Sequence, residues 1–410
     1  MKFHGWIGGS LLAVAFASIG ALSWISSDLV KQPKRAAEIP AVLRERIGYL
    51  VETTQKSPLL FDEGVILPGS GPIPNGEWRK IGDFSGAGRE QVWGLAVHES
   101  ALYAGVGGQS DTLGSIWQLK DQAWKDVTPW KNEAMRVPSL LSSGDYLYAA
   151  TNSLDSSPQI WRSKDGLEWE SIVNFGVDAQ ALFDLTAYDG GICVGVYRPT
   201  ADGEVWCSHN NWQEPLWRIP AKYPYELEVH RGALHVGTGY PAAVFRLDRN
   251  RSPEQVASFQ DGALIVESLL SYRGRLVLGL GREFWQKPDA PPIYWLGPFG
   301  ASPAGRSAPG AWRISHNFNA MIEYRGHLLA STGSFYGETA IWALRNGRAW
   351  EPFAASELRE ELDAMSGRAD WIYNMLTDGD RLYVATAGDP GSPSIWEFVP
   401  TGQNRGDRGL

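Results

Sequence analysis

Residues 102–107 read LYAGVG, and the same pattern returns six more times along the chain: an apolar residue followed three positions later by Gly, Ala or Ser. The seven copies begin at Leu102, Leu147, Ile192, Leu234, Leu276, Leu328 and Leu382. Successive starts are 45, 45, 42, 42, 52 and 54 residues apart. Repeats of about 40–50 residues that carry short apolar runs are typical of propeller blades, each built from four strands.

Each copy lies between two further strand-like segments. A Leu or Met stands seven residues before every copy, and a short run ending in an aromatic residue follows it, as in SIW at Trp117 and QIW at Trp161. A fourth segment, Trp-x-x-apolar, completes most repeats. It begins at Trp124, Trp169, Trp217, Trp312 and Trp350. Three strands of every blade, and the fourth of most blades, are therefore visible in the sequence.

The seventh repeat ends at IWEFVP and lacks the fourth segment, whereas an unmatched copy, WRKI, begins at Trp78 before the first repeat. A strand from the N-terminal side that completes the last blade would close the ring and remove its exposed edges. The sequence thus predicts an all-β fold, a seven-bladed β-propeller of four-stranded blades over residues 76–400.

The N-terminal region predicts export. An uncharged, mostly apolar run spans residues 6–25, a length that suits one membrane span and is long for a signal-peptide core. Residues 1–27 are therefore either a signal peptide or a membrane anchor, and the protein is expected to be periplasmic or extracellular, secreted or tethered. Residues 28–75 form a linker in which the spacing of Leu43, Ile47, Leu50 and Val51 predicts a short amphipathic helix. The polar tail, 401–410, is expected to be disordered.

Composition narrows the functional classes. The chain has 410 residues, a net charge of −9 and no block of Lys and Arg, which argues against a nucleic-acid partner. It contains two cysteines, too few for a cysteine zinc cluster. Cys193 and Cys207 lie on adjacent predicted strands, so a cross-strand disulfide and a pair of buried thiols are both open. No phosphate-binding loop or metalloprotease motif is present, and no cofactor is predicted.

Propeller geometry places several residues near the face where inner strands begin, called the ligand face below. Arg136, Arg198 and Arg282 are candidate ligand-binding residues there, because a guanidinium donates paired hydrogen bonds to carboxylate or sulfate. Trp285, in an insertion of the fifth repeat, is a candidate for stacking on a sugar or a protein partner. Arg89 is also expected near this face.

One position in each inner strand is expected to line the central channel. It is occupied by Gly94, Ser139, Asp184, Glu226, Ser268, Ala320 and Asn374. Asp184 and Glu226 come from neighbouring blades, where two carboxylates could hold a cation or act as acid and base. A hydrated channel without chemistry is the alternative. Glu228 interrupts an otherwise mostly apolar position.

Two stretches resemble the Asp-box and sialidase-like propeller superfamily of extracytoplasmic proteins. IWRSKDGLEW, at 160–169, matches the Asp-box turn with one residue fewer between Asp and Gly, and MRVPSLL, at 135–141, is similar to the Arg-containing inner-strand motif of sialidases. The resemblance implies a carboxylate-binding role for Arg136, and Tyr373 is the candidate for the tyrosine nucleophile. Sialidases usually have six blades, whereas the repeats here predict seven.

These observations support two functional hypotheses. The first is a non-enzymatic binding or scaffold propeller that recognises a glycan or protein on the ligand face, since the repeats carry no complete catalytic constellation. The second is a glycan-cleaving hydrolase or lyase that uses Arg136, Asp184, Glu226 and Tyr373. A cation in the channel, held by Asp184 and Glu226, is a third hypothesis. If residues 6–25 act as an anchor, membrane contact would occur through them.

Overall fold

The computed structural model describes fourteen stretches of the chain: residues 74–84, 91–108, 113–130, 134–153, 157–259, 263–282, 293–297, 300–304, 318–333, 339–345, 347, 349–353, 371–387 and 393–400. The predicted anchor, the amphipathic helix of the linker, Arg89, Trp285, Trp312 and the C-terminal tail lie outside these residues. In the described part of the chain, no helix has the length and apolar character needed to cross a membrane.

The described residues fold almost entirely into β-strands, with a single 3₁₀ turn at Ser208–Asn210 among them. The first half of the chain contains β1 (Gly76–Asp83), β2 (Gln91–His98), β3 (Ala101–Gly107), β4 (Ser115–Lys120), β5 (Ala123–Asp126), β6 (Arg136–Ser143), β7 (Tyr146–Asn152), β8 (Gln159–Ser163), β9 (Trp169–Asn174), β10 (Ala181–Tyr188), β11 (Gly191–Tyr197), β12 (Gly203–Cys207) and β13 (Trp217–Ile219).

The second half contains β14 (Tyr223–His230), β15 (Ala233–Gly239), β16 (Ala243–Leu247), β17 (Glu254–Ser258), β18 (Ala263–Tyr272), β19 (Arg275–Arg282), β20 (Ile293–Gly297), β21 (Gly300–Pro303), β22 (Met321–Tyr324), β23 (His327–Thr332), β24 (Ala340–Arg345), β25 (Ala349–Pro352), β26 (Trp371–Asp378), β27 (Arg381–Ala387) and β28 (Ser394–Pro400). The fold is all-β and propeller-like.

Consecutive strands pair antiparallel in groups of four, as in the sheet β6-β7-β8-β9. The exception is β1, which pairs antiparallel with β28 and thereby adds a fourth strand to β26-β27-β28. Trp78 of β1 is opposite Phe398 of β28 in this pairing. A strand from the N-terminal side therefore covers the edge that the last strand of the chain would otherwise expose.

The first strand of each four-stranded group lies innermost, and these inner strands contact one another in a cycle. The cycle runs through β2, β6, β10, β14, β18, β22 and β26 and returns to β2. Single bridging residue pairs also join neighbouring groups, with Gln91 opposite Ala387 and Gly239 opposite Ile265. The inner strands thus surround a central channel.

The small residue of the repeated LYAGVG pattern is explained by this arrangement. A Cβ atom built on Gly105 of β3 would lie 2.8 Å from Val137 of the next inner strand. A Cβ on Gly237 of β15 would lie 2.7 Å from Val266 of β18. Real Cβ atoms do not approach other atoms this closely, so the second strand needs a small residue here for the next group to pack against it.

One strand differs from the sequence prediction. The fourth strand of the fifth group is β21, which pairs with β20 and begins at Gly300 instead of Trp312. The chain turns directly after β20, with Gly297 opposite Gly300. Gly300 has φ of +113°, a backbone conformation open to glycine but strained for other residues, and this permits the early turn.

Replacing Trp78 with Ala should destabilise the fold strongly. The indole is 3% exposed and packs on Phe398 and Phe353, with ring centroids 5.2 and 6.4 Å away. Its loss leaves a cavity in the last sheet, so we expect the free energy of unfolding to fall by about 3–5 kcal/mol in urea denaturation. Arg79→Ala, on the same strand but partly exposed, is the control and should change it by less than about 1 kcal/mol. Equal stability of both variants would contradict a structural role for β1.

Candidate functional site

The central channel contains a cavity of about 380 Å³, lined by residues of the inner strands. Arg136 and Trp93 border it where the inner strands begin. Asp184, Glu226 and Glu267 also line it, and Glu228 lies further along β14. The position predicted to face the channel does so in five inner segments, through Ser139, Asp184, Glu226, Ala320 and Asn374.

A second ring of channel residues was missed in the sequence because it arises from irregular strand pairing. Six inner strands carry an extra residue at or next to the predicted position, for example between Pro224 and Glu226 and between Val266 and Ser268. Such a β-bulge turns an additional side chain to the same face of the strand. The second ring consists of Trp93, Pro138, Phe183, Tyr225, Glu267 and Tyr373 at these bulges, and of Asn319 just before β22. A search for one extra position per repeat, immediately before the predicted ring, would have found it.

Donors from the neighbouring inner strands hold the carboxyl groups. Asp184 accepts hydrogen bonds from the Ser139 hydroxyl at 3.1 Å and from the backbone N–H of Leu227 at 3.3 Å. Glu228 accepts one from the backbone N–H of Ser271 at 3.0 Å. Each of these donors belongs to an adjacent group of strands, so the carboxyl groups also link neighbouring parts of the ring.

Glu267 is held by two side chains of the second ring. The Asn319 side-chain N–H donates to it at 3.0 Å, and the Tyr225 hydroxyl donates a further hydrogen bond. Glu226, one position before Leu227, accepts from the backbone N–H of Leu269. The channel therefore brings together four acidic side chains from β10, β14 and β18, only two of which were candidates from sequence.

Burial favours the neutral form of all four acids. It raises the pKa of Asp184, Glu228 and Glu267 to about 7 in each case. Burial, together with the nearby charge of Asp184, raises the pKa of Glu226 well above its ordinary value. Asp184, Glu228 and Glu267 can thus gain or lose protons near neutral pH, which ordinary surface carboxylates do not.

Arg136 is the cation of the channel mouth. Its guanidinium lies over the Trp93 ring, 5.0 Å from the centroid. Its Nε is buried and, within the described residues, has no hydrogen-bond partner. No carboxylate among these residues forms an ion pair with it, and burial lowers its pKa. A half-buried guanidinium with an enclosed, unpartnered Nε and no counter-ion is unfavourable, and an anionic ligand would offset that cost.

Aromatic rings surround the mouth on two sides. Trp93 stacks on Tyr373 with centroids 4.3 Å apart, and Tyr373 contacts Trp371 at 5.7 Å. On the other side, Phe183 contacts Tyr225 at 5.0 Å and Tyr223 at 6.0 Å. The Tyr223 ring also contacts the rings of Tyr197 and Tyr240, and Tyr240 is 53% exposed. Arg136 lies at the mouth together with these rings. The rings offer a surface on which the flat or apolar part of a ligand can pack.

The other candidate arginines do not join Arg136. Arg198 forms ion pairs with Asp178 at 2.6 Å and with the buried Glu204 at 2.9 Å, and it donates to the Phe175 carbonyl. These contacts give it a structural role, because they join β12 to the segment between β9 and β10. Arg282 ends β19, but its side chain is outside the described residues, as is all of Trp285. Their predicted roles in ligand binding stay predictions.

Cys193 and Cys207 are opposite each other on β11 and β12 and are joined by a disulfide. Among the described residues, they and His209 are the one group of three potential metal ligands whose atoms lie within 4.8 Å of one another. In the disulfide form the sulfurs bind each other, so the group offers a single imidazole. Three oxygens of the channel acids are not gathered this closely, which makes a compact metal site there a poor fit.

The Asp-box-like segment forms a turn between β8 and β9. One oxygen of Asp165 accepts hydrogen bonds from the backbone N–H groups of Leu167 and Glu168, both at 2.9 Å, and from the Ser163 hydroxyl at 3.0 Å. The two backbone bonds are the main reason that the pKa of Asp165 is lowered. The turn packs on Tyr103, whose hydroxyl donates to the Asp165 carbonyl. It is a structural element of the ring and does not line the channel.

No protein-family model and no curated protein sequence matches this chain. Among solved structures it is similar to the β-propeller YCF48 bound to a D1 peptide, with a TM-score of 0.54 and 11% sequence identity, covering 83% of this chain and 99% of that one. It also matches the computationally designed Ika8 protein, with a TM-score of 0.45 and 10% identity over 76% of this chain and 96% of that one. At this identity, the first similarity supports the fold alone.

The buried acids should make the protein less stable as pH rises toward neutrality. The folded-state pKa of Glu267 lies above the value of an unfolded glutamate, about 4.3, so the folded state binds more protons between about pH 4 and 7. The free energy of unfolding should therefore fall over this window. For Glu267 alone the fall is on the order of 3 kcal/mol.

Urea denaturation of Glu267→Gln at a series of pH values tests this. The variant has no carboxyl group at this position, so its free energy of unfolding should decrease less as the pH rises. It should therefore be at least as stable as the wild-type protein at pH 8. Glu214→Gln, at an exposed position, is the matched control and should follow the wild-type curve. If Glu267→Gln also runs parallel to the wild type, the carboxyl is ionised in the folded state and the assignment is wrong.

Proposed function

We propose that this protein is a non-enzymatic binding or scaffold propeller that receives a segment of a protein partner at the mouth of its central channel. The observation that carries the proposal is the Arg136 guanidinium, which is partly enclosed by aromatic rings and lacks a carboxylate partner among the described residues. A partner's carboxylate, from its C-terminus or from an Asp or Glu side chain, would supply the missing counter-ion.

We further propose that the scaffold is a seven-bladed ring, with β1 as the outer strand of the last blade. The seven sequence repeats and the cyclic contacts of the inner strands support this count. In such a ring the loops at the ligand face converge on one opening, so Arg136 and the aromatic residues of several blades can contact one ligand.

The protein partner is favoured over a glycan by one comparison. The propeller YCF48 has been solved with a peptide bound. For this chain a peptide partner is our proposal, supported by the aromatic mouth, since aromatic and Arg side chains dominate the energetics of protein interfaces. A glycan that carries a carboxylate would present the same group to Arg136, and the experiment below separates the two.

The binding test compares the wild-type protein with Arg136→Gln. The probe is a mixed library of short peptides with free C-terminal carboxylates, with the same library amidated at the C-terminus and a set of sialylated and uronate glycans as further probes. We expect the free-carboxylate peptides to be retained best, and Arg136→Gln to reduce retention at least tenfold, because the charge-assisted hydrogen bonds are lost.

Arg162→Gln is the matched control, because Arg162 is partly exposed and already paired with Glu170 at 2.6 Å. It should bind as the wild type does. Retention of the peptides by Arg136→Gln at the wild-type level would overturn the role of Arg136, and retention of glycans alone would overturn the protein partner.

A glycan-cleaving enzyme is the second candidate, favoured by the acids of the channel. Asp184 and Glu226 lie on adjacent inner strands with raised pKa values, and Tyr373 lines the same cavity. Such groups can act as acid and base near neutral pH. Cleavage products from the glycans used above, lost in Glu226→Gln, would support this candidate, whereas glycans recovered intact across mildly acidic to mildly basic pH would contradict it.

We also propose that the protein is exported and tethered or released outside the cytoplasm. The apolar run at residues 6–25 and the Cys193–Cys207 disulfide support this, because disulfides persist in oxidising compartments. Protein taken directly from its native cells into a thiol-alkylating reagent should carry no label at either cysteine. Full labelling of both would contradict export.

A further inference from the structure

Acidic side chains line the channel below its basic mouth. Arg136 is the one basic side chain among the described residues that line the cavity, whereas Asp184, Glu226, Glu228 and Glu267 also line it. These carboxyl groups have hydrogen-bond donors but no cationic side chain of the described residues beside them. The interior of the channel is therefore complementary to a positive group that the described part of the protein does not itself supply.

Asn319 provides a second, independent observation. Its side-chain N–H donates to Glu267 at 3.0 Å. Its Oδ1 is then left buried with no hydrogen-bond partner among the described residues. A buried acceptor without a donor is unfavourable, and a ligand N–H beside Glu267 would satisfy it. Glu267 and the Asn319 Oδ1 could together accept hydrogen bonds from one nitrogen donor, as an ammonium or guanidinium group provides.

Tyr225 and Tyr373 lie between the two charged regions. Both tyrosines line the cavity together with Arg136 and Glu267. Burial raises the pKa of both tyrosines, the charge of Glu267 adds to this rise, and Arg136 opposes it. A ligand that contacts Arg136 and Glu267 together must pass these rings. The stem that joins its two charged groups would then pack on aromatic surface.

A metal ion fits this cavity less well than an organic cation. A divalent ion needs several oxygens within a small sphere, and no three of these carboxyl groups in the described residues meet that condition. A side chain that carries its charge on a flexible stem can contact acids from different blades one at a time.

We infer that the channel recognises a carboxyl-terminal lysine or arginine of the partner, with the main-chain carboxylate on Arg136 and the side-chain cation beside Glu267, Glu226 and the Asn319 Oδ1. The inference rests on the proposed function, because it requires that a peptide enters at the ligand face. The stem of the basic side chain lies along Tyr225 and Tyr373. Specificity then comes from the distance between the two charges as well as from their signs.

The cation also changes the protonation of the acids. A carboxyl group kept neutral by burial ionises when a positive charge comes next to it, so binding should release protons into the buffer near pH 7. The groups that face the cation are Asp184, Glu226, Glu228 and Glu267, with Tyr225 and Tyr373 above them. An uncharged side chain of similar length would leave the acids protonated and would release no protons.

Calorimetry with three peptides tests the inference at pH 7 in buffers of different ionisation enthalpy. The peptides are acetyl-Gly-Gly-Lys, acetyl-Gly-Gly-norleucine, which has a similar apolar stem without the charge, and the amide of the lysine peptide, which lacks the carboxylate. We expect the lysine peptide to bind at least tenfold more tightly than the other two and to be the one that releases protons.

Variants assign the two ends of the ligand. Glu267→Gln should remove most of the preference for lysine over norleucine while both peptides still bind, and Arg136→Gln should weaken both. Arg162→Gln should change neither. A single cooperative thermal transition for each variant, above the temperature of the binding experiment, excludes misfolding as the cause.

The outcomes separate this inference from the proposed function. If the norleucine peptide binds as tightly as the lysine peptide, the cation site is overturned and the proposed function stands. If the amide binds as tightly as the free carboxylate, the carboxyl-terminal mode is overturned. If no peptide binds, whether from this series or from the mixed library, both the inference and the proposed function are overturned.

Discussion

The close approach of each sheet to the next inner strand is the constraint on which the rest of this structure depends. Gly279 of β19 shows it well, since a Cβ atom there would lie 2.8 Å from the Phe318 carbonyl oxygen. Gly94 of β2 is similarly placed, 3.0 Å from the backbone nitrogen of Leu140. Small residues at these contacts set how tightly the inner strands pack around the axis, and so set the width of the channel.

A narrow channel explains why its acidic residues have unusual chemistry. Water cannot fully solvate four carboxyl groups in a cavity of this size, so each is held by a donor of the protein and tends to stay neutral. Polar groups in such a place reduce stability compared with a well-packed apolar axis. Their presence beside an aromatic mouth is therefore more easily explained by a ligand than by the needs of the fold.

Much of the fold could be predicted from the sequence, because the packing constraint repeats and leaves a periodic pattern. Leu102 and its equivalents mark the second strands, and the unmatched Trp78 correctly indicated the pairing of β1 with β28. The fifth sheet differed, since a tight glycine turn put β21 at Gly300 and no aromatic residue marked it. A turn decided by one backbone conformation leaves little periodic signal.

The candidate site could be predicted only in part, because only some of its residues occupy positions that repeat along the sequence. Asp184 and Glu226 occupy the regular position and were identified as channel residues, and Arg136 was identified at the strand entry. Tyr225 and Glu267 were missed because they belong to the ring that the β-bulges add, and Asn319 was missed because it lies before the start of β22. A bulge is set by the local hydrogen-bond pattern, which the identity of a single residue does not reveal. The ion pairs of Arg198 could not be predicted from the sequence either, because Asp178 and Glu204 come from different loops and strands.

The pairing of β1 with β28 also has a consequence for the order in which the molecule forms. Among the strands of the described residues, β1 leaves the ribosome first, and its partner β28 emerges last. During synthesis β1 therefore carries an unpaired edge, and the aromatic surface of Trp78 has no permanent neighbour. Lys80, Asp83 and the partly exposed Arg79 and Glu77 give this strand charge at close intervals. These charged side chains would disfavour pairing of β1 with other nascent chains before β28 is available.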